Sequence, residues 1–403
     1  MIIGLSGFSG RWMTGYYAAQ NGVEPISAIP WDLYAHVIHF AAAPNADGSI
    51  APHYLGSEIA QFVASKPAGK YALVCIKDND GDPGAFASAT SPGTIAATVA
   101  NIAAFVNGNG YDGVDIDWES NVNVAQYVDL LKRLRAALPS KAITMAVGNW
   151  GGLEQVAAAA YPYVDQINVM CYDMDSASTG YSWYNSALLQ AGNSAVATCD
   201  WRVRAFTSAG VPAYKIGVGI PFYGRRWPGT TQALTAGSFS PFTVTYRDLV
   251  SDPQRWQAPN QKYDTKYKAN YLSIPALNEF DSYTGAEFIN DVASWARQFG
   301  GMMTFTLGYE YLPGSANPYP LSAALYAAVY GESAPAQPAA VPTPSVRPIS
   351  VQQPAYLGPP TPAPVDQAIP AITTQVMPQS TLPSTKVMIG IGVALAALLM
   401  MDD

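Results

Sequence analysis

The stretch richest in chemistry reads Asp112-Gly113-Val114-Asp115-Ile116-Asp117-Trp118-Glu119. Side chains alternate across a strand, so Asp115, Asp117 and Glu119 fall on one face and Val114, Ile116 and Trp118 on the other. Same-face neighbours are spaced about 7 Å apart along a strand. Carboxyls that close in a confined space cannot all ionise cheaply. At least one should keep its proton towards neutral pH, which is the condition for a general acid. Two other readings compete, a solvated edge strand and a calcium-binding loop. The apolar alternation favours a half-buried strand over both.

Such a run needs a frame that buries one face and opens the other. Short apolar runs recur at Arg11–Tyr17, Ala35–Ala42, Tyr71–Ile76, Gly113–Trp118, Ala142–Val147, Gln166–Tyr172, Lys215–Ile220 and Gly301–Phe305. Most are nearly continuous in apolar residues, as parallel strands covered on both sides require. Helical patterns lie between several of them, at Thr94–Val106, Val122–Leu138 and Gly285–Phe299. Eight strands alternating with helices predict an α/β fold, a (β/α)8 TIM barrel, with the acidic face pointing inward and rising to the C-terminal rim. The gap from about Arg225 to Asp281 is too long for a plain crossover and predicts a small α+β insertion between strands 7 and 8.

Composition narrows the function. The chain has 403 residues, 49% hydrophobic and 12% charged, which excludes a wholly disordered protein. Lys plus Arg is 21 against 29 Asp plus Glu, a net charge of −8, which argues against nucleic acid as a partner. Cys75, Cys171 and Cys199 form no CxxC and allow at most one disulfide. His36 and His39 share one strand face with no third ligand in view, so they read as barrel packing and no metal is expected.

The chain is not uniform. Residues 1–332 suffice for the barrel. Residues 333–385 carry 13 of the 32 prolines and almost no charge, a disordered, extended spacer without a core. Residues 386–403 hold the uncharged run Val387–Met401, a helix of about 22 Å against a hydrocarbon core of about 30 Å. On length alone it reads as a buried or interfacial helix. Its place beyond the spacer predicts instead a membrane anchor, or a helix that packs into a large assembly such as a virion. The first residues, Met1–Met13, lack the basic start, apolar stretch and cleavage site of a secretory signal, so classical export is not expected.

The run Asp112–Glu119 resembles the DxxDxDxE signature of family-18 glycoside hydrolases, the chitinases and their relatives. Met170-Cys171-Tyr172-Asp173 is similar to the family's Met-x-Tyr-Asp at the end of the sixth strand, and Gly219–Gly224 to its seventh-strand Gly-x-Pro-x-Tyr-Gly. The resemblance extends along most of residues 10–331, and many members carry an insertion before the eighth strand. Two departures stand out. The third strand usually ends in Ser-x-Gly-Gly, where this chain has Cys75-Ile76-Lys77-Asp78. The eighth usually supplies a tryptophan beneath the sugar, where this chain has Phe305.

The resemblance implies an endo-acting hydrolase of β-1,4-linked N-acetylglucosamine polymers that retains anomeric configuration by substrate assistance, an exception to the paired-carboxylate mechanism. It implies catalytic roles for Glu119 (general acid), Asp117 (acetamido N–H and oxazolinium), Asp115 (proton sharing with Asp117) and Tyr172 (acetamido oxygen). Substrate-binding candidates are Asp112, Asp173, Met170, Tyr223, Phe305, Trp150 and Tyr16, with Asp112 also supporting the start of its strand. Trp12, Trp183, Trp227 and Tyr309 are as well suited to packing as to stacking on sugar. No metal or organic cofactor is implied; the partner is an N-acetylglucosamine-containing polysaccharide. Peptidoglycan and N-linked glycan cores are rival substrates. A non-catalytic carbohydrate-binding or structural protein on the same barrel is the rival class, disfavoured by the presence of Glu119.

Overall fold

The computed structural model describes residues 11–18, 24–174, 180–194 and 196–335. In chain order the first strands are β1 (Trp12–Ala18), β2 (His36–Pro44), the short β3 (Ile50–Ala51), β4 (Tyr71–Lys77), β5 (Gly113–Asp117), β6 (Ala142–Val147) and β7 (Gln166–Val169). They continue with β8 (Ile216–Pro221), β9 (Tyr223–Pro228), β10 (Phe242–Thr245), β11 (Gln261–Asp264), β12 (Ala269–Ile274), β13 (Glu279–Tyr283) and β14 (Gly301–Phe305). Strands β1, β14, β8, β7, β6, β5, β4 and β2 pair in that order, and a β1–β2 pairing closes the ring. All eight pairings are parallel. This is the expected barrel.

The helices are α1 (Ile59–Ser65), α2 (Ala85–Ala89), α3 (Ile95–Gly108), α4 (Val124–Ala137), α5 (Leu153–Ala160), α6 (Cys199–Ser208), α8 (Ala286–Trp295) and α9 (Pro320–Tyr330) around the barrel, and α7 (Tyr246–Val250) in the insertion. Helix α4 shows why they form. Tyr127, Leu130, Leu131 and Leu134 recur at helical spacing and are all buried, and the Asn123 side chain accepts from the Gln126 amide at 3.1 Å. That stripe covers the outward face of β5, where Trp118 stacks on Phe86 at 5.0 Å and meets Tyr127 at 5.1 Å. Each such fully buried large apolar side chain is worth ~1.5–3 kcal/mol. Burying Val114, Ile116 and Trp118 outward therefore forces Asp115 and Asp117 inward.

The insertion is an antiparallel five-stranded sheet in the order β10-β9-β13-β12-β11, joined by α7. It spans Tyr223 to Tyr283, two residues wider at each end than the sequence suggests. Close pairing requires glycine at one point: a Cβ on Gly224 would lie 1.6 Å from the Ser282 carbonyl oxygen. Another boundary also differs. The sixth barrel strand stops at Val169 rather than Tyr172, because the Arg202 guanidinium takes the Met170 and Tyr172 carbonyls at 2.5 and 2.7 Å.

The run Val387–Met401 and the proline-rich spacer lie outside the described residues, apart from the first few residues of the spacer. Among the described residues no helix is long and apolar enough to cross a membrane.

Candidate active site

The acidic run climbs the inside of the barrel. Asp115 sits deepest, fully buried opposite Cys75 on β4 and Thr144 on β6. Its Oδ2 accepts from the Tyr16 hydroxyl at 2.7 Å and its Oδ1 from Thr144 Oγ1 at 2.5 Å. Burial raises its pKa, while bonds from Thr144, Tyr16 and Cys75 restrain the rise. Asp117 comes next and is buried, with Oδ1 lacking a hydrogen-bond partner among the described residues. Burial pushes its carboxyl well up, reinforced by Glu119, Asp115 and Asp78 and opposed by Lys77.

Glu119 stands just past the end of β5, partly open to solvent. Its pKa is pushed up to about 8, first by desolvation, then by the charges of Asp78 and Asp173, against Lys77 and Arg202. Burial and the neighbouring carboxylates thus favour the protonated form of a carboxyl at the C-terminal rim towards neutral pH. That is the requirement for donating a proton to a leaving group.

Aromatic side chains form the wall beside these acids. Tyr16, Met170, Tyr172 and Tyr223 belong to one apolar cluster inside the barrel, with Trp150, Phe305 and Tyr309 packed on it. Phe305 is the hub, with ring centroids 5.5 Å from Tyr16, 5.3 Å from Phe40, 6.1 Å from Tyr172 and 6.5 Å from both Tyr223 and Tyr309. Apolar ring faces among carboxyls suit a sugar, which presents C–H faces and a polar rim. The Tyr172 phenol is raised well above its usual pKa, by burial and then by Asp117, Asp173 and Glu119, so it stays a neutral donor beside them. Trp150 is fixed by the Arg202 guanidinium 5.1 Å from its ring centroid.

Asp173 closes the rim from the segment after β7. Its Oδ2 accepts from the Tyr223 hydroxyl at 2.7 Å and its Oδ1 from Arg225 Nη2 at 2.9 Å. Among the sequence candidates, therefore, Glu119, Asp117, Asp115, Tyr172, Asp173, Met170, Tyr223, Phe305, Trp150 and Tyr16 converge on the inside and upper rim of the barrel.

Asp112 does not join them. It precedes β5 at the opposite end of the strand, where Oδ2 accepts from Lys66 Nζ at 2.5 Å and the Ala72 amide at 2.8 Å. It ties β4 to β5 at the closed end, so its place among substrate-binding residues is corrected to strand support. Trp12 packs against Gly300 and Gly301, while Trp183 and Trp227 are buried beside Tyr184 and Phe239 respectively. His36 and His39 are buried, and burial pushes each down to about 3. Sequence reasoning did not single out Asp78, Arg202 and Arg225 as site residues. Arg225 was findable two residues after Tyr223 on one strand face, whereas Asp78 and Arg202 act through backbone groups far away in the sequence.

Fold and site together define an α/β barrel whose fourth barrel strand delivers a string of carboxyls to an aromatic cluster at the C-terminal rim. The model of glycosyl hydrolases family 18 matches residues 13–310, and the chain belongs to that family. Chitinase 1 of Aphanocladium album is 28% identical over 244 residues, which cover 54% of this chain and 56% of that protein. A probable endochitinase of Caenorhabditis elegans is 31% identical over 235 residues, 51% of this chain and 38% of that protein. The chain thus spans about half the length, or less, of these curated relatives. The Group IV chitinase of Ostrinia furnacalis, solved in complex with allosamidin, shares the fold with a TM-score of 0.69 at 19% identity, covering 80% of this chain and 99% of that one.

Proposed function

We propose that this chain hydrolyses β-1,4-linked N-acetylglucosamine polymers, cutting within the polymer and retaining anomeric configuration. Glu119 donates its proton to the glycosidic oxygen as the bond from that oxygen to the anomeric carbon breaks. The substrate's acetamido oxygen forms the new bond to that carbon, giving an oxazolinium ion. Water then attacks, returning the acetamido group, and the Glu119 carboxylate recovers the proton that water gives up. Asp117 accepts from the acetamido N–H and faces the developing cation, with Asp115 sharing its proton load. Tyr172 donates to the acetamido oxygen, and Phe305 carries the sugar face.

The observation that carries this reading is the pairing of a rim carboxyl raised to about 8 with a buried Asp117 oxygen that has no hydrogen-bond partner among the described residues. A buried acceptor without a donor is costly unless a ligand supplies one, and an acetamido N–H fits that need. The test is incubation of the full chain with chitooligosaccharides, muropeptides and an N-glycan, followed by product masses and the anomer formed first. Chitooligosaccharide cleavage with β-anomer release supports the proposal. Cleavage of only another substrate redirects it, and binding without any cleavage favours a carbohydrate-binding protein.

A further inference from the structure

Strands β4 and β5 run side by side to the rim, with Lys77 opposite Asp117. One residue further, the Asp78 amide donates to the Asp117 carbonyl at 3.2 Å, extending the ladder to the turn that carries Glu119. The Asp78 side chain then reaches across that turn. Its Oδ2 accepts from the amides of Glu119 at 3.0 Å and Ser120 at 2.8 Å. Its Oδ1 is buried without a hydrogen-bond partner among the described residues, and the two amides, aided by the Ser120 side chain, grip this carboxylate. Here the chain departs from the family's third-strand motif, and a glycine at this position could make neither contact.

We propose that Asp78 is a positioning residue for Glu119: it clamps the turn that aims the glutamate and places a negative charge beside the glutamate's carboxyl. The inference deepens the reading of Glu119 as the acid and rests on it. Charged and titratable groups face Glu119 from several elements: Asp117 on β5, Lys77 and Asp78 at the end of β4, Asp173 and Tyr172 after β7, and Arg202 on α6. Asp78 and Asp173 favour the protonated form, whereas Lys77 and Arg202 oppose it, and Asp78 is foremost among these charges. Burial works against the Asp78 charge, and the Ser120 and Glu119 amides, then the Ser120 side chain and Lys77, sustain it.

The test is a carboxyl-carbon NMR titration of the full chain labelled at glutamate Cδ, with the Glu119 signal assigned by its loss in Glu119→Gln. In Asp78→Asn the amide oxygen still accepts from the backbone, but the charge is gone. The Glu119 midpoint should fall by about one pH unit or more, the scale of a neighbouring like charge. Asp78→Glu, which restores the charge, should return it most of the way. The alkaline limb of kcat/KM on a chitooligosaccharide should move with the midpoint while KM stays put. A Glu119 midpoint unchanged or raised in Asp78→Asn overturns the proposal. If that variant does not fold, the wild type still decides: the amide protons of Glu119 and Ser120 should shift downfield as Asp78 ionises, and amides that fail to follow it overturn the clamp. A wild type that turns over no chitooligosaccharide counts against the hydrolase reading. The NMR midpoint then judges the Asp78–Glu119 coupling separately.

Discussion

The Tyr223 hydroxyl donates to Asp173 Oδ2 at 2.7 Å and so joins the first strand of the inserted sheet to the segment after β7. Asp173 has a left-handed backbone, with φ of 53°, which its amide supports by donating to Asn185 Oδ1 at 3.0 Å. Asn185 Nδ2 donates in turn to the Tyr223 carbonyl at 3.0 Å, and Arg225 grips the other Asp173 oxygen. The insertion therefore helps build the pocket as well as decorating the barrel. It fixes the carboxylate that follows Tyr172, and that carboxylate's charge helps keep Glu119 protonated.

Phe305 offers the first quantitative expectation. Its ring stands among Tyr16, Phe40, Tyr172, Tyr223 and Tyr309 and remains partly exposed, as the proposed role of sugar platform requires. Phe305→Leu keeps most of the volume and removes the ring face. Losing ~0.5–1.5 kcal/mol of stacking should raise KM for a chitooligosaccharide by about two- to tenfold, with kcat less affected. Steady-state kinetics check this, and an unchanged KM would remove Phe305 from the binding surface.

Much of this was legible in the sequence, for physical reasons. The β5 run reads clearly because its two faces differ completely: Val114, Ile116 and Trp118 against Asp115, Asp117 and Glu119. The barrel reads clearly because doubly covered strands must be apolar throughout. The inserted strands β9 to β13 were legible only as a gap, since their residues are mixed and partly exposed and their pairing is set by partners such as Arg226 with Asp281, bonded at 2.7 Å. Asp78 was invisible as a site residue because its work is done on backbone amides 41 and 42 positions away, which no side-chain pattern records. Asp112 was overread as a substrate residue, whereas the support of its strand start that was also read for it fits its bonds to Lys66 and the Ala72 amide. Its spacing in the acidic run suggested the pocket, but strand geometry carries it to the other end of the barrel.

Stability should depend on pH through acids remote from the pocket. Glu310 is fully buried, accepts from the Leu321 and Ser322 amides at the start of α9, and is pushed up to about 8 by burial. Glu24, bonded to the Tyr319 hydroxyl at 2.6 Å, is likewise pushed up to about 8 by burial. The folded chain keeps these protons while the unfolded chain releases them near 4.5, so their stabilising contribution is full below about 4.5 and is lost as pH rises through about 8. His36 and His39 act oppositely, but only between about 3 and 6.5. From pH 6.5 to 8 the melting temperature should therefore fall, each buried acid contributing at most ~1.4 kcal/mol per pH unit. Glu310→Gln keeps the acceptor and should flatten the slope. Thermal melts across that window check it, and a flat wild-type profile would contradict it.

Asp117 tests the mechanism apart from the acid. Asp117→Asn fills the same space but, unlike a carboxyl that can pass its proton towards Asp115, can never face an oxazolinium ion as an anion, so kcat should fall by about 10²-fold or more. A thiazoline analogue of that ion should inhibit the wild type and bind Asp117→Asn more weakly. Inhibition constants measured on both proteins decide the point. Failure of every such analogue against an active wild type would exclude substrate assistance.

The central claim is that Glu119 is the proton donor, and Glu119→Gln tests it most directly. The amide preserves the shape of the side chain and removes the transferable proton. Turnover of a chitooligosaccharide should fall by about 10²–10⁴-fold, the usual contribution of general-acid catalysis, while calorimetric affinity for the same oligosaccharide stays nearly unchanged. Full turnover in Glu119→Gln, in a protein that binds and cleaves as the wild type does, would contradict the account.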